Sequence, residues 1–541
     1  MFSVDGIRKI HGRRKSMNKI KTIGIVGGGS AGWMTASTLI NFFPDKEITL
    51  IESASIGRIG VGESTLPTLL AWCSALGINH KEFMSYTDAS YKLGISFKNF
   101  HKKNNVEFHY PFGNPYKNNC MLENGNDWHV SKILDKNLPI SNYTDSFFPQ
   151  MELIKNGTIS DLSVDGFSLL RDSALHFDAM KFADWLMNQY AKPRGVNHIV
   201  SEIKDILTNE NGVSGLVLED GSVKEFDLYI DCSGFKSILL GGALGEEFID
   251  YSDRLPVNRA WAVQIQYEDK MNEMKNYTES TALGYGWVWN APLYSRIGTG
   301  YVYSDKFISP EEALEEFKDY LRQEKGSHRI NDSLKFNDVR FKTGIYNNTW
   351  VKNVVAIGLS AAFVEPLESN GLFFIHENLL KLTHALSRPS VNSFDMAAYN
   401  LITKKSYDSF ANFIRLHYYL SQRDDTEFWK FMTNLEFNAS DLDPKNELFE
   451  TTLNMYSSQS WELSSLNGSH AILVGNETLP ISKSYLSMLN HYTGLDPKEI
   501  SFNFLSKSAI SIKSWKSQLN GAKKHYIYLK DNFHTIGEQN D

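Results

Sequence analysis

The sequence predicts an α/β protein: a Rossmann-like parallel sheet with a GxGxxG turn, an inserted antiparallel sheet, and a mostly helical C-terminal module. Three observations carry this expectation. A short apolar strand, Ile20 to Val26, runs into Gly27-Gly28-Gly29-Ser30-Ala31-Gly32 and then Trp33-Met34-Thr35-Ala36-Ser37-Thr38-Leu39, the order strand, glycine turn, helix. Two later runs, Asp227 to Gly234 and Asn353 to Gly358, read as buried parallel strands ending in glycine, so one sheet is visited three times with long insertions between. The insertions, 93–165 and 251–350, are rich in Tyr, Phe, Trp, Asn and Gly with short alternating runs, as antiparallel strands and loops are.

Taken in chain order, residues 1–16 carry Arg8, Lys9, Arg13, Arg14 and Lys15 without the apolar core of a signal peptide. They read as a disordered extension ahead of Met17. The nucleotide-binding part with its inserted strands spans 17–395. Its second strand, Ile48-Thr49-Leu50-Ile51, ends in Glu52, twenty residues beyond Gly32, where such a unit places its ribose-binding acid. Within the second insertion, Ser309-Pro310-Glu311-Glu312 is a capping box with proline at the first helical position, and Leu314, Phe317 and Leu321 give that helix its apolar stripe. From 396 to 541 the pattern is mostly helical, and beyond 465 it is too weak to order the elements.

Composition narrows the function classes. The 541 residues hold 55 Lys+Arg against 63 Asp+Glu, a net charge of −8, which excludes a nucleic-acid binder working through bulk charge. Cys73, Cys120 and Cys232 lie far apart with no CxxC pair, and none of the 15 histidines forms a metal-ligand pattern with nearby acids or cysteines, so no metal is expected. No stretch approaches the ~18 consecutive apolar residues of a membrane span. A soluble, cytoplasmic chain is the expectation.

Several residues carry chemistry. Gly27, Gly29 and Gly32 let backbone N–H groups approach a pyrophosphate at a helix N-terminus. Gly241-Gly242-Ala243-Leu244-Gly245 lacks that context, so a second nucleotide such as NADPH has no evident home. Lys92, Glu365 and Glu368 lie among apolar or small neighbours, where burial is costly unless the groups are paired or functional. For Lys92 alone, a side chain reaching out to water is the commoner outcome. The glutamates sit better, because they follow the third sheet strand and ligands in open α/β sheets gather at strand ends. Trp287 and Trp289 share one face of a strand, an arrangement more often core than cofactor box.

Together these segments resemble the flavin-dependent halogenases of the tryptophan-halogenase family. The resemblance rests on Gly27 to Gly32, Ile59-Gly60-Val61-Gly62-Glu63-Ser64-Thr65-Leu66-Pro67, Lys92, Trp287-x-Trp289-x-x-Pro292, Trp350 to Asn353 and Glu365-Pro366-Leu367-Glu368-Ser369-Asn370-Gly371. Leu175-His176-Phe177-Asp178, Ile230 to Phe235, Gly300 to Ser304 and Arg423 to Trp429 extend it, and the match is dense from about 20 to 430.

The resemblance implies that FADH2, O2 and a halide (chloride, bromide or iodide) give hypohalous acid, which travels to an electron-rich aromatic substrate, an indole, a phenol or similar. It implies FAD contacts from Gly27, Gly29, Ser30, Ala31, Gly32, Glu52, Gly62, Glu63, Ser64, Gly358 and Leu359. Lys92 then directs the halogen, Glu368 assists, the backbone of Asn370 and Gly371 binds halide, and Trp287 and Trp289 wall the passage. Asn370 replaces the family's usual Thr, and Ala291 its usual Ile. Tyr110, Phe112, Ser369 and Trp461 are implied at the substrate, with Tyr110 where tryptophan halogenases carry His, so free tryptophan is disfavoured. A separate NAD(P)H flavin reductase is implied, since no NADPH site is evident. Two alternatives stay open at this point: an FAD-dependent monooxygenase or oxidase of an aromatic compound, and a non-enzymatic FAD redox sensor. A homo-oligomer is also open.

Overall fold

The structure, a computed structural model, describes residues 20–54, 63–122, 126–435, 466–477 and 483–534. The expected extension 1–16, Gly62 and Trp461 lie outside these residues.

The first strand, β1 (Thr22–Val26), is followed by helix α1 (Ser30–Phe42) and strand β2 (Glu47–Glu52). β1 sits in the middle of a six-stranded sheet, paired in parallel with β2 on one side and with Leu228–Asp231 on the other. Val354–Ala356 extends the sheet beyond Leu228–Asp231, and Trp350–Val351 closes that edge antiparallel. The opposite edge is Asn197–Val200, parallel to β2, which the sequence pattern does not reveal because its four residues are half-buried or exposed. β1 and its two neighbours are buried on both faces, as parallel strands under helices must be.

The inserted sheet has seven strands in the spatial order Asn337–Arg340, Arg259–Gln266, Arg296–Tyr303, Gly286–Pro292, Thr278–Ala282, Gly94–Lys98, Glu107–Pro111. All its pairings are antiparallel except Thr278–Ala282 with Gly94–Lys98. Alternation gives each face its task. On the face toward the first sheet, Ala260, Ala262, Thr278 and Ser280 are small, so a cavity opens there between Trp287, Trp289 and Val302. On the other face, Val263, Ile265, Val288, Tyr301 and Tyr303 pack against Ala313, Phe317, Tyr320 and Leu321 of helix Pro310–Lys325. That helix carries the expected capping box, Ser309 with Glu312, and Pro310 at its first position.

The reading of 93–165 as strands and loops holds up to Pro111 and again from the strand Thr158–Ile159, but not for the stretch between 126 and 156. Helices follow at Asn126–Leu134, Ser141–Phe147 and Met151–Asn156. Aromatic residues signalled burial there, not strand: Tyr143 and Phe147 are four apart, share a helix face and lie 5.0 Å centroid to centroid. The C-terminal part is helical, with Ser393–Tyr419, Glu427–Asn434, Leu466–Gly475, Lys483–Thr493, Pro497–Gln518 and His525–Phe533. Helix Leu466–Gly475 packs on strand Glu107–Pro111, and a side chain at Gly475 would overlap the Phe108 ring. Among the described residues no helix is long and apolar enough to cross a membrane.

Candidate active site

The glycine turn has three different jobs. Gly27 adopts φ +116°, and a Cβ there would meet the Cys232 carbonyl at 2.2 Å. At Gly32 a Cβ would meet the Gly27 carbonyl oxygen at 1.8 Å, so the helix start packs directly on the turn. Gly29 differs: a Cβ there would have nothing within 4 Å, because it points into the cavity at the N-terminus of α1. Glu52 ends β2 beside this turn, with its carboxylate against Gly28 and 2.8 Å from His198 Nε2.

From this turn a cavity of about 590 Å3 runs between the two large sheets. Gly27, Gly29, Ser30, Ala31, Glu52, Glu63, Ser64, Gly358 and Leu359 line it toward the first sheet. Trp287 and Trp289, 6.3 Å apart and tilted by 59°, line it toward the second. A mostly apolar, elongated space that begins at a glycine-rich helix N-terminus fits a flavin dinucleotide. Burial pushes the Glu63 carboxyl on its wall up to about 7.

Asn370 and Gly371 lie at the far wall, where helix Gly371–Leu386 begins. The first N–H groups of a helix have no intrahelical acceptor, and a Cβ at Gly371 would meet nothing within 4 Å, so this turn offers donors into open space. The Asn370 side chain is turned away, its Nδ2 donating to the Val364 carbonyl at 3.2 Å.

Lys92 stands behind the cavity wall. A small sheet, Glu63–Ser64 against Ala174–Phe177 against Ser90–Lys92, sets Ser64 and Ser90 on either side of His176 and carries Lys92 beside them. Lys92 is fully buried; its Nζ donates to Ser369 Oγ at 2.7 Å, Ser64 Oγ at 2.9 Å and the Thr65 carbonyl at 3.0 Å, and lies 5.0 Å from the centre of the Phe112 ring. It is bonded to no carboxylate, so burial holds its pKa well below the usual lysine range, with the Glu368 charge opposing. The expectation of a lysine reaching for water is overturned by three acceptors that meet its donors inside the protein.

Glu368 and Ser369 close the turn Pro366–Glu368, with Ser369 held at φ +61°. Glu368 is 1% exposed; one oxygen lies 2.8 Å from His417 Nε2 and the other has no hydrogen-bond partner. Glu365 points elsewhere. It accepts from Trp287 Nε1 at 3.1 Å and from the Tyr418 hydroxyl, and burial pushes its carboxyl up to about 7. Ser369, implied at the substrate, instead accepts from Lys92 Nζ and donates its hydroxyl to Ser64. Tyr110 is half-buried with its ring edge-on to that of Phe112, which is buried with Phe97, Phe100, Phe108, Ile472 and Leu473.

His417, Tyr418 and Thr278 were not singled out from sequence. His417 sits 49 positions after Glu368 within an aromatic helix, Arg415-Leu416-His417-Tyr418-Tyr419, where no spacing marks it. His176 was visible only as part of a longer motif. Among the described residues no group of three or more His, Cys, Asp or Glu side chains could hold a metal.

Known proteins share this arrangement. The tryptophan halogenase family model matches residues 22–490. Tryptophan 6-halogenase ThaL of Streptomyces albogriseolus is 34% identical over 444 residues, 78% of this chain and 80% of that protein. Among solved structures, VirX1 superposes with a TM-score of 0.84 at 30% identity, covering 96% of this chain and 100% of its own. BrvH, a flavin-dependent halogenase from Brevundimonas sp. BAL3, gives 0.80 at 28% identity, covering 95% and 99%. With the glycine turn, the paired tryptophans and the Glu365 to Gly371 segment bordering one cavity, this agreement shows that the chain belongs to the tryptophan halogenase family, the flavin-dependent halogenases.

Proposed function

We propose that the chain halogenates an electron-rich aromatic ring, an indole or a phenol, with Lys92 presenting the electrophilic halogen and Glu368 taking the ring proton. The observation that carries this reading is a fully buried lysine, fixed by three acceptors and bonded to no carboxylate, whose bond to Ser369 joins it to the residue next to Glu368, a buried carboxylate with one oxygen that has no hydrogen-bond partner.

FAD, reduced by a separate NAD(P)H flavin reductase, supplies the electrons with which O2 and halide become hypohalous acid and water. The chain's own residues do the rest. Gly27 and Gly29 receive the pyrophosphate with Ser30 and Ala31, while Gly32, expected at the cofactor, is buried against the Gly27 carbonyl and shapes the turn instead; Glu52 receives the ribose, and Glu63, Ser64, Gly358 and Leu359 border the flavin. The N–H groups of Asn370 and Gly371 hold a chloride, bromide or iodide ion against the helix dipole. Trp287, clamped by its bond to Glu365, and Trp289 separate the flavin from the organic substrate.

On the far side, Lys92 hydrogen-bonds the hypohalous acid or takes its halogen as a haloamine, with release of water. The unpartnered oxygen of Glu368 accepts the proton that leaves the ring once carbon and halogen are joined. Phe112 and Tyr110 supply aromatic faces for the substrate. Tyr110 in place of histidine favours indoles and phenols over free tryptophan.

The test is mass spectrometry of indoles, phenols and anilines incubated with the protein, FAD, a flavin reductase, NADH and O2, with chloride, bromide, iodide or no halide. Halogenated products that vanish without halide are expected. Oxygenated products formed without halide would contradict the reading.

A further inference from the structure

The hydrogen bonds behind Lys92 form one chain whose donor directions can be deduced from its far end. The Ser90 hydroxyl donates to the Pro292 carbonyl, which can only accept. Ser90 Oγ, 3.3 Å from His176 Nδ1, is therefore the acceptor in that contact, and Nδ1 carries the imidazole hydrogen. His176 is fully buried, and burial above all, with the charge of Lys92, holds its pKa well below the usual histidine range, so the ring is neutral and Nε2 is bare.

Nε2 then accepts from Thr278 Oγ1 at 2.8 Å. Thr278, its hydrogen spent, accepts from Ser64 Oγ at 2.7 Å. Ser64 in turn accepts from Ser369 Oγ at 3.0 Å and from Lys92 Nζ at 2.9 Å. Every hydroxyl hydrogen in the chain points away from Lys92, so the lysine meets lone pairs only. The three acceptors match the three hydrogens of an ammonium and so oppose the burial that lowers the Lys92 pKa, whereas a neutral amine would leave its lone pair without a donor.

We infer that His176 is a positioning residue for Lys92: through Thr278 and Ser64 it sets the direction of the bonds around Nζ and receives the proton that Lys92 gives up on taking halogen. The inference rests on the proposed role of Lys92 and deepens it.

The protons balance. Ammonium and hypohalous acid give haloamine, water and one proton. That proton enters Ser64, whose own passes to Thr278, whose own passes to His176 Nε2, leaving an imidazolium bonded to Ser90; the Lys92 charge that opposed protonation of the ring is lost in the same step. When the N–X bond breaks and the C–X bond forms, the same chain returns a proton to the nitrogen, giving the amine, and Glu368 takes the one released by the ring; transfer of that proton to the amine restores the ammonium. The wire lies in the wall of the flavin cavity, since Ser64, Thr278 and Ser369 all border it, yet each link is a protein atom.

Two measurements test this. Nitrogen-15 NMR of histidine-labelled protein, with His176→Gln used to assign the signal, should show a neutral Nδ1–H ring at pH 7; an Nε2–H tautomer overturns the wiring. Halogenated product per flavin oxidised should fall about tenfold or more in Thr278→Val and return toward the parent value in Thr278→Ser. A Thr278→Val protein with the parent ratio, or a Thr278→Ser protein as poor as Thr278→Val, overturns the relay. A parent protein that halogenates no aromatic compound overturns the proposed function and with it the proton uptake, whereas the tautomer still decides the wiring.

Discussion

At the scale of single residues, the site depends on charges placed where charge is expensive. Lys92 is tolerated in the core because three acceptors meet it, and Glu368 because His417 covers one of its oxygens. If the free oxygen of Glu368 is the proton acceptor, Glu368→Gln lowers turnover by roughly 10²–10⁴-fold with flavin oxidation retained. A near-parent rate in steady-state product assays would remove that role. Glu365 gives a pH signature. Its carboxyl is pushed from 4.5 up to about 7 by burial, so between these values the folded chain keeps a proton that the unfolded chain has lost. Stability then falls as pH rises through that window, and Glu63, shifted alike, adds to the slope. Glu365→Gln flattens the fall of the urea midpoint between pH 5 and 7; an unchanged slope would mean that Glu365 titrates normally. Sequence marked Lys92, Glu365 and Glu368 as costly if buried, but could not supply their partners. Those come from Ser64, Thr65, His417 and Tyr418, far along the chain.

At the scale of elements, the strand, turn and helix around Gly27 to Gly32 were legible because each glycine answers a local backbone demand. The two positions Gly29 and Gly32 separate binding from folding. Gly29→Val places its side chain in the cavity from a backbone that L residues adopt freely, φ −78° and ψ −171°, and weakens FAD binding in a fluorescence titration while the melting curve of the apoprotein is kept. Gly32→Ala drives a methyl into the Gly27 carbonyl and loses folded protein. Equal effects of the two substitutions on apoprotein stability would contradict this division. The strand Asn197–Val200 and the helices between 126 and 156 were not legible. The first is short and half-exposed, and the second announce themselves by aromatic residues that either element can bury. The small sheet that carries Lys92 escapes for another reason. Its strands are two to four residues long, and their partners are set by tertiary packing rather than by any local pattern.

At the scale of the whole molecule, the cavity beside the glycine turn and the buried cluster around Lys92, Phe112 and Glu368 are neighbouring compartments, joined at Ser64 and Ser369. Ligand that fills the cavity stabilises the whole, by about 2.7 kcal/mol at a hundredfold excess of FAD over its Kd. Thermal unfolding should therefore move upward with added FAD, and a midpoint indifferent to FAD would contradict the assignment of the cavity. The helical C-terminal part was legible as a class but not in order, because its helices present apolar residues to several partners at once rather than along one stripe. On the proposed function, halogen is made in the cavity beside the glycine turn and aimed from the neighbouring cluster by Lys92. The most direct test is to measure, in Lys92→Ala with a flavin reductase, halide and a responsive aromatic substrate, both the product and the hypohalous acid escaping to a trap in solution. Continued flavin oxidation, trapped hypohalous acid and no halogenated ring at the parent position are expected; parent-level product of unchanged regiochemistry would contradict the role of Lys92.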